Sequence, residues 1–362
     1  MKVAVVHDAL PFPGGAEEVL SALGEILPEA DLFTVLYARK NFDPPGPWPG
    51  RILTSWIDKI PMAGFQHYPL FPLYRRAMRG FRLNDYDLLI SSHYAAAHHI
   101  RKNPDQLHIA YVYSLMRYAW ADLYPHDPPS LLGRAGRALL PGFRRLDRTA
   151  AQEVDAFAAI SRWTAERIKI AYGREAQIIH PPVDTEIFVP LDPRQDYFLA
   201  VSRLTARKRV SLLVEAFGKL MLPLLVVGDG PLRERLVASA PENVRFLGWQ
   251  SRRRIAELMG RARAFVHAAA EDFGIAVVEA QAAGCPVIAY GVAGVLETVR
   301  PGETGVFFSL PTVDDLVQAV RTFLDQPGRF LPEASRINAL PFGKARFQRE
   351  IVELIERLIR LR

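Results

Sequence analysis

Two carboxylates, Glu271 and Glu279, frame the stretch EDFGIAVVE. Paired acids can accept hydrogen bonds from sugar or ribose hydroxyls. The spacing alone carries no meaning, because Glu17/Glu25 and Glu234/Glu242 repeat it. Context sets this pair apart: Glu271 follows the apolar run AFVHA, and Phe273-Gly274-Ile275 then opens a helix whose second turn carries Glu279. That pattern predicts a carboxylate in a loop, helix N-terminal N–H groups suited to a diphosphate, and a second carboxylate alongside. In SRLTARKR, Arg203 and Lys208 stand just past another apolar run. Such a pair can clamp a diphosphate, or it can belong with Arg207 and Arg209 to a solvated basic turn. Near the start, HDALPFPGG closes an apolar run and a helical pattern opens at Ala16. Gly14-Gly15 there lets backbone approach an anion closely, or merely serves a turn with positive φ; the spacing is neither GxGxxG nor a P-loop.

These residues need strand ends to hold them. In the first half the predicted strands are Val3–Val6, Leu32–Tyr37, Asp87–Ser91, Ile109–Tyr113, Ala156–Ile160 and Gln177–His180, with amphipathic segments such as Ala16–Leu27 and Leu131–Gln152 between them. The strands read as continuous apolar runs, the mark of a parallel sheet covered on both faces. A proline-dense stretch, HPPVDTEIFVPLDP (His180–Pro193), reads as a linker. The alternation then restarts with Tyr197–Ser202, Leu224–Gly228, Val244–Gly248, Ala264–His267, Val287–Tyr290 and Val306–Phe308. The expectation is an α/β chain of two Rossmann-like, doubly wound parallel-sheet domains facing across a cleft. A last amphipathic helix, Arg346–Arg360, can cap either half.

Composition agrees. The 362 residues, 49% hydrophobic and 23% charged, suit two cores and exclude a disordered or collagen-like chain. The longest run without charge, Ala280–Leu296, is broken by Gly284, Pro286, Gly291 and Gly294 and is too short to span a membrane. The single cysteine, Cys285, points to a reducing compartment and a soluble, intracellular protein. Net charge of +6 favours anionic partners, although an ordinary solvated surface can carry it too.

Other signals carry less. Asp85-Tyr86-Asp87 spells DxD but precedes a strand, where a turn is expected. His93, His98 and His99 find no second cluster with ligand spacing and read as surface or cleft histidines. The segment Gly64–Arg82 interleaves aromatics with Arg75, Arg76, Arg79 and Arg82, and a second basic helix carries Arg134, Arg137, Arg144, Arg145 and Arg148. Such stretches suit an anionic membrane surface, a solvated face or, least of the three, single-stranded nucleic acid.

The stretch EDFGIAVVEAQAAGCPVIAYGVAGVLETVRPGETGVFF, with SRLTARKRVSLLVEAF, VGDGPLRERL and FLGW in the same order, resembles the signature of the retaining GT-B glycosyltransferases of family 4. HDALPFPGGAEEVL and YVYSLMRYAWADLY resemble in particular the subgroup that transfers mannose from GDP-mannose. The resemblance implies a first, acceptor-binding domain over 1–185, on which the closing helix 346–362 can pack, and a donor-binding domain over 186–345. It implies that Gly14 and Gly15 approach the donor diphosphate while Arg203 and Lys208 hold its charge. Phe273, Gly274 and Ile275 offer backbone donors, Glu271 binds the transferred sugar, Glu279 binds the ribose, and the base lies near Gly228, Trp249 and Gln250. No metal and no further cofactor is expected beyond the nucleotide-sugar donor. Where the subgroup reads His-Thr-Pro, this chain has Tyr113-Ser114-Leu115, so Tyr113 takes the sugar-contacting place as a hydrogen-bond partner without a charge. The expected activity is transfer of a hexose, mannose foremost, to a lipid-linked or saccharide acceptor at the cytoplasmic face of a membrane. The contact with the membrane would run through 64–82 and 134–148. A UDP-sugar transferase, a sugar-nucleotide epimerase and a non-catalytic nucleotide-sugar binder are the alternatives.

Overall fold

Apolar runs too continuous to alternate become strands buried on both faces. The computed structural model describes residues 1–42, 46–60, 70–127 and 134–362, the side chains of 134–137 apart. The first half forms β1 (Val3–His7), α1 (Gly15–Ile26), β2 (Asp31–Thr34), β3 (Ile52–Thr54), α2 (Phe71–Met78), β4 (Leu88–His93) and β5 (Leu107–Val112). It continues with α3 (Arg134–Gln152), β6 (Ala156–Ala159), α4 (Arg162–Tyr172) and β7 (Ala176–Ile178). Its sheet is wholly parallel in the order β3-β2-β1-β4-β5-β6-β7, so the winding reverses between β1 and β4.

The second half forms β8 (Phe198–Val201), α5 (Val210–Leu220), β9 (Leu224–Val227), α6 (Arg233–Ala238), β10 (Val244–Gly248), α7 (Arg252–Arg261), β11 (Ala264–His267) and α8 (Ile275–Ala282). Then follow β12 (Val287–Tyr290), α9 (Val295–Thr298), β13 (Gly305–Phe308), α10 (Val313–Leu324), α11 (Pro332–Ala339) and α12 (Lys344–Arg360). This sheet, also parallel, runs β10-β9-β8-β11-β12-β13 and reverses between β8 and β11. In open α/β sheets the carboxyl ends of the strands flanking such a reversal are where ligands bind.

The chain divides into two compact units: Met1–Pro125, Pro129–Pro182 and Phe347–Arg362 in one, His126–Pro128 and Val183–Arg346 in the other. Each has its own core. The first gathers Val6, Phe33, Leu89, Val112, Phe157 and Tyr172; the second gathers Phe198, Phe217, Val226, Val266, Ile288 and Phe308. In α12, Phe347, Ile351, Leu354 and Ile355 are buried at helical spacing. Its Phe347 ring meets Tyr111 of β5 edge-on at 5.6 Å between centroids.

Strands fall within a few residues of their expected spans, but β3 was not expected. It is a three-residue, partly exposed edge strand after a proline-dense stretch, and its RILT offers too short a run to recognise. Of the segment Gly64–Arg82, residues 64–69 lie outside the described residues, as do Leu131–Gly133 of the second basic helix. Asp85-Tyr86-Asp87 is the turn before β4: Asp87 accepts the N–H of Lys2 and the Tyr86 hydroxyl donates to Asp31. Among the described residues no helix is long and apolar enough to cross a membrane.

Candidate functional site

The second sheet positions its charged groups at the reversal between β8 and β11. Past β8, a short 3-10 turn over Ala206–Lys208 presents Lys208, whose ammonium donates to the Glu271 carboxylate in the loop after β11. His267, the last residue of β11, lies 3.6 Å from the same carboxylate oxygen, and its Nε2 makes no hydrogen bond. Burial would push the Glu271 pKa up. Lys208, His267 and Arg207 outweigh it and bring the carboxyl down to about 2, so Glu271 is an anion at neutral pH. Burial, with Lys208 adding to it against Glu271, lowers the His267 pKa to about 4, so that imidazole is neutral.

Arg203 is exposed on the turn that follows β8. Arg207 and Arg209 are not simply solvated. Arg207 lies 3.6 Å from Asp127, and Arg209 donates to the Ala268 carbonyl and stacks over Tyr290 with 5.2 Å to the ring centroid. Arg209 also holds a left-handed backbone (φ 50) as it hands the turn to α5.

The loop between Glu271 and α8 is shaped by glycines. Gly274 caps α8 at φ 91, a conformation that side chains resist. Phe273 sends its ring into the interior, 2% exposed and edge-on to Phe342, so only its backbone faces outward chemistry. The first N–H groups of α8 have no carbonyl a turn earlier to accept them, which leaves an anion-binding end. Gly294, which no motif had singled out, donates to the Glu271 carbonyl at 2.9 Å, and a Cβ there would collide with the Asp272 carbonyl. Gly228 has φ 134, and a Cβ would strike the Ser202 carbonyl, so this glycine lets β9 close against the turn after β8.

Glu279 is buried, and its carboxylate lies 3.2 Å from the Arg252 guanidinium at the start of α7. Just before it, Trp249 is 68% exposed, and Gln250 donates to the Leu247 carbonyl at 2.8 Å. Arg252 carried no motif; only its place beside an exposed tryptophan could have drawn attention to it.

The first sheet gathers a different set at its own reversal. His7 Nδ1 and the Ser92 hydroxyl lie 2.9 Å apart, Ser92 and the Tyr113 hydroxyl 2.8 Å, and Tyr113 donates to the Ala16 carbonyl at 3.3 Å. Burial, together with Glu17 and Asp8, holds the Tyr113 pKa well above its ordinary value despite the Ser92 hydrogen bond, so its hydroxyl stays neutral. Asp8 accepts the N–H groups of Tyr94, Ala95 and Ala96 at 2.6, 2.8 and 2.6 Å, yet burial raises its pKa to about 6. Glu17, three residues past the N-cap Gly14, folds back over it, and burial raises its pKa to about 7. Asp8 and Glu17 were not among the expected site residues, because nothing in their spacing reveals burial. Gly14 and Gly15 are exposed, and Gly14 is extended at φ −171, so that residue does not serve a turn with positive φ.

The three histidines are not surface groups. His93, His98 and His99 are at most 2% exposed. The fold brings Asp147 of α3 to them: its carboxylate lies 2.8 Å from His99 Nε2 and 3.3 Å from His98 Nε2, and it accepts Trp120 Nε1–H at 2.6 Å and the Tyr172 hydroxyl at 2.8 Å. Burial opposes that charge, but the two histidine hydrogen bonds keep Asp147 ionised well below the usual carboxylate range. The spacing of His98, His99 and Asp147 would admit a metal ion, yet the carboxylate is already surrounded by four donors. Of the basic helix, Arg144 donates to the Ala119 carbonyl and Arg148 to that of Ala171, both guanidiniums over Trp120. These two arginines are tied to their own unit.

Residues 13–187 match the family model described as Glycosyltransferase Family 4, and residues 184–339 match Glycosyl transferases group 1. Among curated proteins the chain is 31% identical over 226 residues to a GDP-mannose-dependent monoacylated alpha-(1-6)-phosphatidylinositol monomannoside mannosyltransferase of Corynebacterium glutamicum, covering 54% of this chain and 59% of that one. It is 28% identical over 262 residues to a D-inositol 3-phosphate glycosyltransferase of Mycobacterium sp., covering 63% and 60%. The chain thus spans about three fifths of the length of these relatives. Among solved structures, sucrose-phosphate synthase from Thermosynechococcus elongatus superposes with a TM-score of 0.77 at 18% identity over the full length of both chains. Anabaena HepE in complex with UDP and glucose superposes at 0.72 and 18%, covering 98% of this chain and 99% of that one. The chain thus carries a Glycosyltransferase Family 4 domain followed by a Glycosyl transferases group 1 domain, each on its own parallel sheet, with the fold of these glycosyltransferase structures.

Proposed function

We propose that this protein is a retaining, metal-independent glycosyltransferase that moves a hexose, mannose from GDP-mannose foremost, onto a lipid-linked or saccharide acceptor. The observation that carries the reading is the Lys208–Glu271 pair beside neutral His267, set at the sheet reversal in front of α8. Lys208, exposed Arg203 and the N-terminus of α8 supply positive charge where a departing diphosphate needs it. Glu271, ionised at any pH above about 4, is an acceptor only. It therefore suits sugar hydroxyls and is no proton donor. A diphosphate that draws Lys208 to itself leaves those oxygens to the sugar. Exposed Trp249 offers a face for a base, and Glu279 serves the ribose diol. The first unit, with Gly14-Gly15 and Tyr113, receives the acceptor, and exposed Arg76 and Arg145 are its contacts to an anionic membrane.

GDP-mannose is named in two similar mannosyltransferases, whereas HepE was solved with UDP, so a UDP-sugar donor is the second reading. A thermal-shift screen against GDP, UDP, ADP and their sugar conjugates, with EDTA present, separates them. Saturation at a hundred times Kd adds about 2.7 kcal/mol. A shift selective for GDP supports mannose transfer, a shift selective for UDP replaces the donor, and no shift with any of them removes the reading.

A further inference from the structure

The chain RRR that opens α7 is badly placed for a helix. Cations in a first turn face the positive end of the helix dipole. Arg254 offsets this by pairing with Glu257 one turn on, at 2.6 Å. Arg252 instead turns inward. Its guanidinium lies 3.2 Å from Glu279 Oε1 and 5.2 Å from the centroid of Phe188, a ring only 1% exposed. The side chain is thus fixed at one end by the α7 backbone and at the other by α8 and the 180–193 segment. Only two residues lie between it and exposed Trp249.

We infer that Arg252 is a positioning residue for Glu279, and that the pair selects a ribonucleoside over a 2′-deoxyribonucleoside diphosphate. This deepens the donor-site reading above and rests on it. An arginine 3.2 Å from one carboxylate oxygen favours one rotamer of that group, and a carboxylate can accept from several donors at once. A fixed carboxylate rewards a hydroxyl at one point; one whose rotamer is not held rewards it less, because ordering then opposes the new bond. Arg252 also joins the loop that would meet the base to the residue that would meet the ribose, so both features of a nucleoside are read from one rigid corner.

The test measures Kd by calorimetry for GDP and 2′-deoxy-GDP, and for UDP and 2′-deoxy-UDP, with wild type, R252M, R252K and E279Q. Circular dichroism and Tm check that each variant is folded. The wild type is expected to prefer the ribonucleotide about tenfold or more, the scale of a hydrogen bond to a charged group. In R252M the preference falls to about twofold while 2′-deoxy affinity holds within about threefold; E279Q behaves alike, and R252K recovers part of the preference. If R252M weakens ribo and deoxy ligands equally, Arg252 meets the phosphates or only the fold, and the inference is overturned. A preference kept in R252M overturns it too, as does a wild type that binds without preference. If the wild type binds no nucleoside diphosphate, the donor-site reading itself fails and takes this inference with it, an outcome distinct from the other three.

Discussion

The carboxyl ends of the two sheets use polar residues in opposite ways. At the second sheet, charges are kept and matched: Lys208 with Glu271, Arg252 with Glu279. At the reversal of the first, burial works against charge: His7 is lowered to about 3, while Asp8 rises to about 6, Glu17 to about 7, and the Tyr113 hydroxyl stays protonated. Matched charges can be exchanged for those of an incoming anion, because the protein's own ions hold their places until it arrives. Groups held near neutrality give little to an anion and suit hydroxyls, which donate and accept at once. Asp147, a buried carboxylate of the first unit that is held ionised, lies among four donors and is structural.

Several measurements can break this contrast. Glu271→Gln is expected to lower transfer from the sugar nucleotide at least about a hundredfold in a folded protein, since an anionic acceptor becomes a half-donor amide beside Lys208. Near-normal turnover would remove the residue from the site. Asp147→Ala should leave nucleotide affinity unchanged but destabilise the protein by about 3 kcal/mol or more in urea unfolding, because buried donors lose their acceptor. A changed nucleotide Kd there would deny the division between the two edges.

Lys208→Ala and Arg203→Ala should each reduce donor kcat/KM about 10–100-fold, the loss of one charge-assisted bond. Exposed Arg203 should give the smaller loss. The smallest effect concerns pH. Glu271 binds protons less readily folded than unfolded, so its contribution is complete above about pH 4.5 and fades as pH falls toward 2. Glu17 runs the other way: folded it holds its proton up to about 7, so its contribution is complete below about 4.5 and fades as pH rises through 7. Stability curves of E271Q should therefore flatten between pH 5 and 3, and those of E17Q between pH 5 and 7. The same window for both would erase the contrast.

What could be read from residues alone follows this division. The second edge announces itself, because SRLTARKR and EDFGIAVVE place unusual charge beside apolar runs and their partners stand at strand ends. Lys208 and Glu271 are each legible there as ligand contacts, while the ion pair between them, across 63 residues, shows only in the fold. The first edge offers little beyond Gly14-Gly15, since Asp8 and Glu17 acquire their character from burial and Asp147 from the buried histidines that donate to it, and spacing encodes neither. His98-His99 read as surface or cleft groups because their partner, Asp147, lies 48 residues beyond His99, on a helix whose own pattern is merely basic. Edge strand β3, three residues long, lacks the length that makes periodicity visible.

The closing helix has a consequence for how the chain is made. The first unit is completed by Phe347–Arg362, and Phe347 is fully buried against β5, strands formed more than two hundred residues earlier. A ribosome that has delivered the whole first sheet still leaves Tyr111 waiting for a side chain not yet synthesised. The amino-terminal half must therefore persist as an unfinished domain, with apolar surface open, while the entire second half is translated and folds. Aggregation during synthesis, rather than loss of any catalytic group, is the vulnerability this connectivity builds into the protein.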